Sequence, residues 1–375
     1  MGLYIGVMSG TSLDAIDVAL IKTSATEQPR LLAHHSAEFA VGLQRSLTDL
    51  IRTQHCHLSQ LGELDVRLGH AYADAINVLL ESSGISAAQI DGIGCHGQTI
   101  FHSPDSQYPF SMQIGNGNVI AEKTGITTVC DFRQRDIING GQGAPLVPAF
   151  HAAIFRSDSE NRVILNIGGI SNISILTAKS HSVLQGFDTG PGNTLMDAWI
   201  QQHQQQAFDN EGKWAEGGQV NQVLLLQLKS NAYFERKIPK STGCELFNLS
   251  WLMQQLSLSG TTDLAPQDVQ ATLMAFTVST VTDAINQYAR QTDKVYVCGG
   301  GARNSALMRQ LQTALNPIKV ETTATIGLEP QWVEAAAFGW LAEQTLQHNA
   351  LDLREVTGAR SPNILGAVYW SKKAS

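Results

Sequence analysis

The feature that most constrains the fold is a pattern that occurs twice: a β-rich run, a glycine turn of small polar residues, and a second β-rich run. The first copy reads Leu3-Tyr4-Ile5-Gly6-Val7-Met8, then Ser9-Gly10-Thr11-Ser12, then Ile16-Asp17-Val18-Ala19-Leu20-Ile21. Short apolar runs punctuated in this way read as strand, turn and strand. Leu31 to Ala37 supplies a third strand. Helices follow over Gly42 to Arg52 and Ser59 to Ser83, where Leu61, Leu64, Leu68, Tyr72, Ile76 and Leu79 recur at helical spacing. Ile90 to Cys95, Ser111 to Ile114 and Thr127 to Cys130 are short strands, with a helix opening at Asn116. The second copy has strands at Arg162 to Asn166 and Ser171 to Leu176 around Ile167-Gly168-Gly169-Ile170. A third strand spans Val183 to Phe187 and a helix opens at Asn193. Helices fill much of 192–290. Strands at Lys294 to Cys298 and Ile318 to Glu321 precede a closing helix, Gln331 to Gln347. Repetition of this order without visible sequence identity predicts a duplicated α/β topology. The expected units are 1–135, to which part of the C-terminal helix could return, and 136–375 with helical insertions. The glycine-rich segment Asp131 to Pro145 reads as a hinge between them.

Composition narrows the function. The 375 residues are enough for one large or two ordinary domains. Charged residues are only 15%, against ~25% in typical soluble domains, and 33 glycines fit a compact enzyme with many tight turns. The 25 Lys and Arg against 33 Asp and Glu give a net charge of −8, and no basic cluster interrupts it, so nucleic acid is excluded as the main partner. The five cysteines are far apart, without a C-x-x-C pair, which gives neither a disulfide framework nor a thiolate zinc site. Met1 to Met8 is too short, and lacks the positive flank, for a signal peptide. Gly2 is not matched by Ser or Thr at position 6, as myristoylation requires. The longest uncharged stretch, Val163 to Ala178, is broken by Asn166, Gly168, Gly169 and Asn172, so it does not span a membrane. The expectation is a soluble, cytoplasmic protein.

Familiar motifs fail. Gly92-Ile93-Gly94-Cys95-His96-Gly97 fits G-x-G-x-x-G by letter, but Gln98-Thr99-Ile100-Phe101-His102-Ser103-Pro104 is no helix start, as a dinucleotide fold needs. No G-x-x-x-x-G-K-[ST], H-E-x-x-H or G-x-S-x-G occurs. His55-Cys56-His57 sits in a polar loop, where alternate residues face solvent.

Four glycine turns remain. Gly10-Thr11-Ser12-Leu13-Asp14-Ala15-Ile16-Asp17 offers bare amides and hydroxyls that can nest phosphate oxygens. Asp14 there can hold Mg²⁺ through water, since this ion keeps several waters and takes few carboxylates. Taken alone, that segment reads better as an ordinary hairpin turn. Asn166-Ile167-Gly168-Gly169-Ile170-Ser171-Asn172 repeats the design, and a pair of such turns can clamp a nucleotide's phosphates. Gly299-Gly300-Gly301-Ala302-Arg303-Asn304 lets a flat ligand such as adenine approach the backbone. Phe187-Asp188-Thr189-Gly190-Pro191-Gly192-Asn193 puts Asp188 at a strand's C-terminal edge before a helix, where ligands bind in open α/β sheets. Such a carboxylate serves as a general base or as an N-cap. Arg133, in Asp131-Phe132-Arg133, can bind a sugar hydroxyl or phosphate oxygen, or pair with Asp131 or Asp136. Glu334 lies in the first turn of the last helix, where the helix dipole favours an acid.

With Met8-Ser9-Gly10-Thr11-Ser12-Leu13-Asp14 and Cys95-His96-Gly97-Gln98-Thr99, these motifs in this order resemble the signatures of the anhydro-N-acetylmuramic acid kinase family. That family lies within the actin, sugar kinase and Hsp70 ATPase superfamily, and the resemblance covers essentially the whole chain. It implies two ribonuclease-H-like lobes with an interdomain active-site cleft that closes on its ligands. It implies a bacterial, cytoplasmic enzyme of peptidoglycan recycling and amino-sugar catabolism. From 1,6-anhydro-N-acetylmuramic acid, ATP and water it makes N-acetylmuramic acid 6-phosphate and ADP, with Mg²⁺ as the ion and a homodimer as the assembly. The resemblance gives Asp188 as catalytic base. ATP falls to Gly10, Thr11, Ser12, Leu13, Asp14, Ala15, Ile16, Asp17, Asn166, Gly168, Gly169, Gly299, Gly300, Gly301 and Asn304. Arg133 and Glu334 fall to the sugar, with Gly97, Gln98 and Thr189 as further substrate-side candidates. His96, Gln98 and His102 are unranked candidates for the lactyl and acetamido groups. The family often has Gly where this chain has Ala15, which leaves the fine shape of that turn open.

Overall fold

The structure, a computed structural model, describes residues 2–10, 13–24, 27–178 and 184–372. The chain divides into two units, Met1–Ile154 with Trp332–Ser375, and Phe155–Gln331.

In the first unit β1 (Gly2–Ser9), β2 (Ile16–Thr23) and β3 (Arg30–Ala37) form successive antiparallel pairs. β4 (Gly92–Cys95) pairs parallel to β1, and β5 (Gln98–Ser103) and β6 (Phe110–Ile114) make a separate hairpin. β7 (Thr128–Cys130) pairs parallel to β4, and the C-terminal strand Ala367–Tyr369 lies antiparallel beside β7. The main sheet therefore runs Ala367–Tyr369, β7, β4, β1, β2, β3. Tyr4 to Val7 are buried one after another, the mark of a strand covered on both faces. The helix Leu58–Ser83 supplies Leu64, Leu68, Tyr72, Ile76 and Leu79 to the core, as its periodicity predicts. The helix Val333–Leu346 lies directly on the sheet. A Cβ on Gly6 would stand 1.7 Å from the Ala335 carbonyl oxygen, and one on Gly94 1.9 Å from that of Phe338.

In the second unit β8 (Arg162–Ile167), β9 (Ile170–Leu176) and β10 (Gln185–Pro191) are antiparallel neighbours. β11 (Lys294–Cys298) joins β8 in parallel, and β12 (Lys319–Thr322) joins β11. The order is β10, β9, β8, β11, β12. This repeats β3, β2, β1, β4, β7 of the first unit, so the expected duplication of a ribonuclease-H-like topology is present. The helix Pro266–Tyr288 buries Val269, Leu273, Phe276 and Val281 in this unit's core.

Four differences from the sequence reading have physical causes. The unit boundary lies after Ile154 instead of 135, and the segment from Trp332 onward belongs to the first unit. The helix Val333–Leu346 packs on Gly6 and Gly94, and Ala367–Tyr369 completes that sheet. The expected hinge at 131–145 is folded into the first unit. It contains the helix Phe132–Ile138, and Asp136 accepts from the Gly143 N–H (2.8 Å) and the Thr357 hydroxyl (2.8 Å). Third, β5 is a strand that alternation did not reveal. Last, Val183 lies outside the described residues, and the third strand of the second unit runs on through Pro191. Among the described residues no helix is long and apolar enough to cross a membrane.

Candidate active site

In the second unit the turn between β8 and β9 is tied to the segment that opens the helix Thr194–Gln204. The Gly169 carbonyl accepts from the N–H groups of Gly192 (2.8 Å) and Thr194 (3.1 Å), and the Gly168 carbonyl accepts from that of Asn193 (2.9 Å). The turn after β11 sits against the same place. Gly299 has φ +79, and a Cβ there would lie 2.4 Å from Asn166 Oδ1; one on Gly301 would lie 2.4 Å from Ile167 Cγ2. Asn166, Gly168, Gly169, Gly299, Gly300 and Gly301 are thus gathered in one unit. Asn304 caps the helix Ser305–Leu315, with Oδ1 accepting from the Leu307 N–H at 3.0 Å.

These glycines divide into two kinds. Packing leaves no room for a side chain at 299 and 301. At Gly168 the nearest atom to an added Cβ is 3.7 Å away, and at Gly300 it is 3.8 Å away. Glycine at those two positions leaves an open cradle lined by backbone, which fits the phosphates and adenosine of a nucleotide.

Asp188 is not at a strand end. It stands within β10, at a bulge between Asp188 and Gly190, opposite Asn172 on β9. Bulges redirect side chains and occur beside active sites. The helix begins only at Thr194, so Asp188 is not its cap. Its side chain is buried, and Oδ2 accepts from the Thr242 N–H at 2.9 Å. Thr189, expected on the substrate side, is buried with its hydroxyl donating to the Ser171 carbonyl at 3.2 Å. Ser171 Oγ, Asn172 Oδ1 and Thr242 Oγ1 are buried polar atoms without a protein partner. The sequence reading missed Thr242 and Tyr233. Tyr233 is fully buried, and its hydroxyl donates to the Asp188 main-chain carbonyl at 2.6 Å. The available signal was the small polar run Lys240-Ser241-Thr242-Gly243 inside an otherwise helical region.

In the first unit the turn after β1 is anchored at its base. Ser9 Oγ donates to Gln98 Oε1 (2.8 Å) and bonds the Tyr72 hydroxyl (2.7 Å). Gln98 is fully buried there, so its side chain supports the turn. Gly97 has φ +76, and a Cβ would stand 2.8 Å from the Ile114 carbonyl, so its role is backbone shape. Gly10 accepts at its carbonyl from the Leu13 N–H at 3.1 Å. Leu13 carries the left-handed backbone of this turn (φ +56). Ala15 does not, so alanine is tolerated there. Thr11 and Ser12 lie outside the described residues. Ile16 and Asp17 belong to β2, and Asp17 Oδ1 accepts from the Ser36 hydroxyl at 2.7 Å. Asp14 is exposed on the turn. A single exposed carboxylate fits Mg²⁺ held through its waters. Among the described residues no three His, Cys, Asp or Glu side chains gather as a metal cage.

Arg133 donates from Nε (3.0 Å) and Nη2 (2.8 Å) to His96 Nε2, and from Nη1 to the Gly143 carbonyl (2.7 Å). Burial first, and the guanidinium second, hold His96 well below the usual histidine range. The same two causes lower His102 to about 4. Its Nδ1 bonds the Ser111 hydroxyl at 2.9 Å. Glu334 stands half-buried in the first turn of the helix Val333–Leu346.

Two units of the same strand order, each with a glycine turn between its first two strands, and a late triple-glycine turn define a duplicated ribonuclease-H-like α/β fold. Residues 2–371 match the family model described as anhydro-N-acetylmuramic acid kinase. The protein of that name from Pasteurella multocida is 49% identical over 371 residues, 99% of this chain and 97% of that one. The Photobacterium profundum protein is 48% identical over 373 residues, 98% of each chain. The Coxiella burnetii protein is 44% identical over 370 residues, 99% of this chain and 98% of that one. Among solved structures, component A of the Acidaminococcus fermentans (R)-2-hydroxyglutaryl-CoA dehydratase has a similar trace, with TM-score 0.48 and 14% identity over 90% of this chain and 96% of that one. The chain belongs to the anhydro-N-acetylmuramic acid kinase family, and it is a kinase.

Proposed function

We propose that this kinase opens the 1,6-anhydro bridge of 1,6-anhydro-N-acetylmuramic acid with water and transfers the γ-phosphoryl group of ATP to O6, with Asp188 as the base. The observation that carries the residue assignment is the buried Asp188 carboxylate at the β10 bulge, oriented by the Thr242 N–H. Asp188 takes a proton from water as its oxygen bonds to C1. The C1–O6 bond breaks with its electron pair going to O6. O6 bonds to the γ-phosphorus, and the bond from that phosphorus to the leaving oxygen of ADP breaks. The products are N-acetylmuramic acid 6-phosphate and ADP. General base catalysis contributes ~10²–10⁴-fold, and phosphoryl transfer rests on positioning and electrostatics.

ATP is assigned to the cradle at Gly168 and Gly300 with Asn166, Gly169, Gly299, Gly301 and Asn304, and to the turn from Gly10 to Asp17. Mg²⁺, held at Asp14 through water, would neutralise phosphate charge when bound. Arg133 and Glu334 are assigned to the sugar. His96, kept neutral, accepts from Arg133 and fixes the direction of its guanidinium. The reading extends to a cytoplasmic enzyme of peptidoglycan recycling, working as a homodimer.

A coupled ADP-release assay with ATP, Mg²⁺ and the anhydro sugar in ¹⁸O-water tests it. The expected result is sugar-dependent ADP release and one heavy oxygen at C1. Release without ¹⁸O incorporation would reject the hydrolytic step, and no sugar-dependent release from folded, ATP-binding protein would reject the acceptor.

A further inference from the structure

Three atoms of Asp188 are held by one segment. Its N–H donates to the Lys240 carbonyl (3.0 Å), its own carbonyl accepts from the Tyr233 hydroxyl (2.6 Å), and Oδ2 accepts from the Thr242 N–H (2.9 Å). Strand pairing alone would leave this bulged residue loosely set, because a bulge disrupts the ladder locally. Within the same segment Lys240 is buried. Its ammonium donates to the carbonyls of Tyr233 and Phe234, both at 3.3 Å, and lies 4.7 Å from the centre of the Tyr233 ring. A buried ammonium needs compensation. Two carbonyls and a ring face supply part of it, and the negative charge of Asp188 adds a smaller share.

We infer that Lys240 is a positioning residue for Asp188: its buried charge, fixed against Tyr233, keeps the Asp188 carboxylate ionised and aimed. The inference rests on the reading of Asp188 as the base. The titratable and charged groups acting on Lys240 and Tyr233 include Asp188 on β10, Arg236 just after the turn Ala232–Glu235, and each other. Burial and Arg236 push the Lys240 ammonium down, while Asp188 acts the other way and favours its charged form. Interaction between two charges is mutual, so Lys240 favours the charged form of Asp188 to the same extent.

Removing the charge must raise the Asp188 pKa and move the acid limb of the pH–rate profile to higher pH. The test is the pH dependence of kcat for the full chain with ATP, Mg²⁺ and the anhydro sugar. It compares Lys240→Met and Lys240→Arg with wild type, alongside Asp188→Asn. The Met variant is expected to move the acid limb to higher pH, with turnover lost on that limb and ATP affinity kept. The Arg variant should restore most of the profile. A ¹³C-carboxylate titration of Asp188 in ligand-free protein should show the same upward shift. If the Met variant does not fold, Lys240→Gln keeps a donor for the two carbonyls and is read in the same way. An unmoved acid limb in a folded charge-removing variant, with Asp188→Asn inactive, overturns the role of Lys240 alone. Near-normal turnover in Asp188→Asn overturns the base assignment, and the role of Lys240 with it.

Discussion

Arg133 points two of its N–H groups, Nε–H and one on Nη2, at one atom of His96, Nε2. That atom must therefore be an acceptor, which fixes the imidazole as neutral with its proton on Nδ1. The histidine acts as a bracket for the guanidinium, and Gly143 holds the other side. A lysine cannot reproduce this fork. Arg133→Lys should raise the KM for the anhydro sugar about tenfold or more, equivalent to about 1.4 kcal/mol, with the KM for ATP unchanged. His96→Ala should move the sugar KM in the same direction by less. Steady-state kinetics with each substrate varied would decide. An unchanged sugar KM in folded Arg133→Lys would reduce Arg133 to a support for the Gly143 loop.

Asp188→Asn keeps the shape of the side chain and its acceptor for the Thr242 N–H, but removes its basicity. Turnover should fall by ~10²–10⁴-fold while nucleotide binding, read by calorimetry, is retained. Turnover near that of the wild type would remove Asp188 from the mechanism.

Much of this was readable in the sequence because it depends on local pattern. Leu64, Leu68, Tyr72, Ile76 and Leu79 sit on the buried face that their spacing predicts, and the two glycine hairpins are where apolar runs flank them. What sequence could not show depends on distant partners. That part of the C-terminal helix could return to the first unit was open in the sequence; that all of Trp332–Ser375 does so follows from Gly6 and Gly94 making room for a helix more than 200 residues away in the chain. The Gln98 amide oxygen accepts from Ser9, 89 residues earlier in the chain, a partner that its own sequence neighbourhood does not show. The small polar run around Thr242 marks an irregular segment, but nothing local ties it or Tyr233 to Asp188, about 50 residues earlier in the chain.

The two kinds of glycine make opposite predictions. Gly94→Ala places a methyl 1.9 Å from the Phe338 carbonyl oxygen, so the helix Val333–Leu346 must shift. Overpacking of this kind costs ~1–3 kcal/mol or more, visible as a lower melting temperature. Gly300→Ala meets nothing closer than 3.8 Å in the protein. Its melting temperature should stay near that of wild type while the Kd for ATP rises about tenfold, ~1.4 kcal/mol. A destabilised Gly300→Ala with normal ATP affinity would assign that glycine to folding.

Acid should destabilise the protein through its buried histidines. His96 is held well below the usual range, His102 at about 4 and His151 at about 3, with burial the first cause in each case. In the unfolded chain these rings protonate near 6.5. Below that pH the unfolded state binds more protons, so stability is complete above about 6.5 and is lost as pH falls toward the folded values. Each fully affected ring contributes a slope of ~1.4 kcal/mol per pH unit. Asp131 and Asp136 work in the opposite direction. Burial raises both, so the folded state takes up their protons first and gains stability as pH falls through their folded values. The histidines therefore dominate just below pH 6.5, and the carboxyls offset them at lower pH. Urea unfolding at pH 7.5, 6.5, 5.5 and 5 should show this loss beginning below 6.5. In His102→Gln the loss should be shallower, because one of the rings no longer titrates. Parallel losses in the variant and the wild type would show that His102 is protonated as readily in the folded protein as in the unfolded chain.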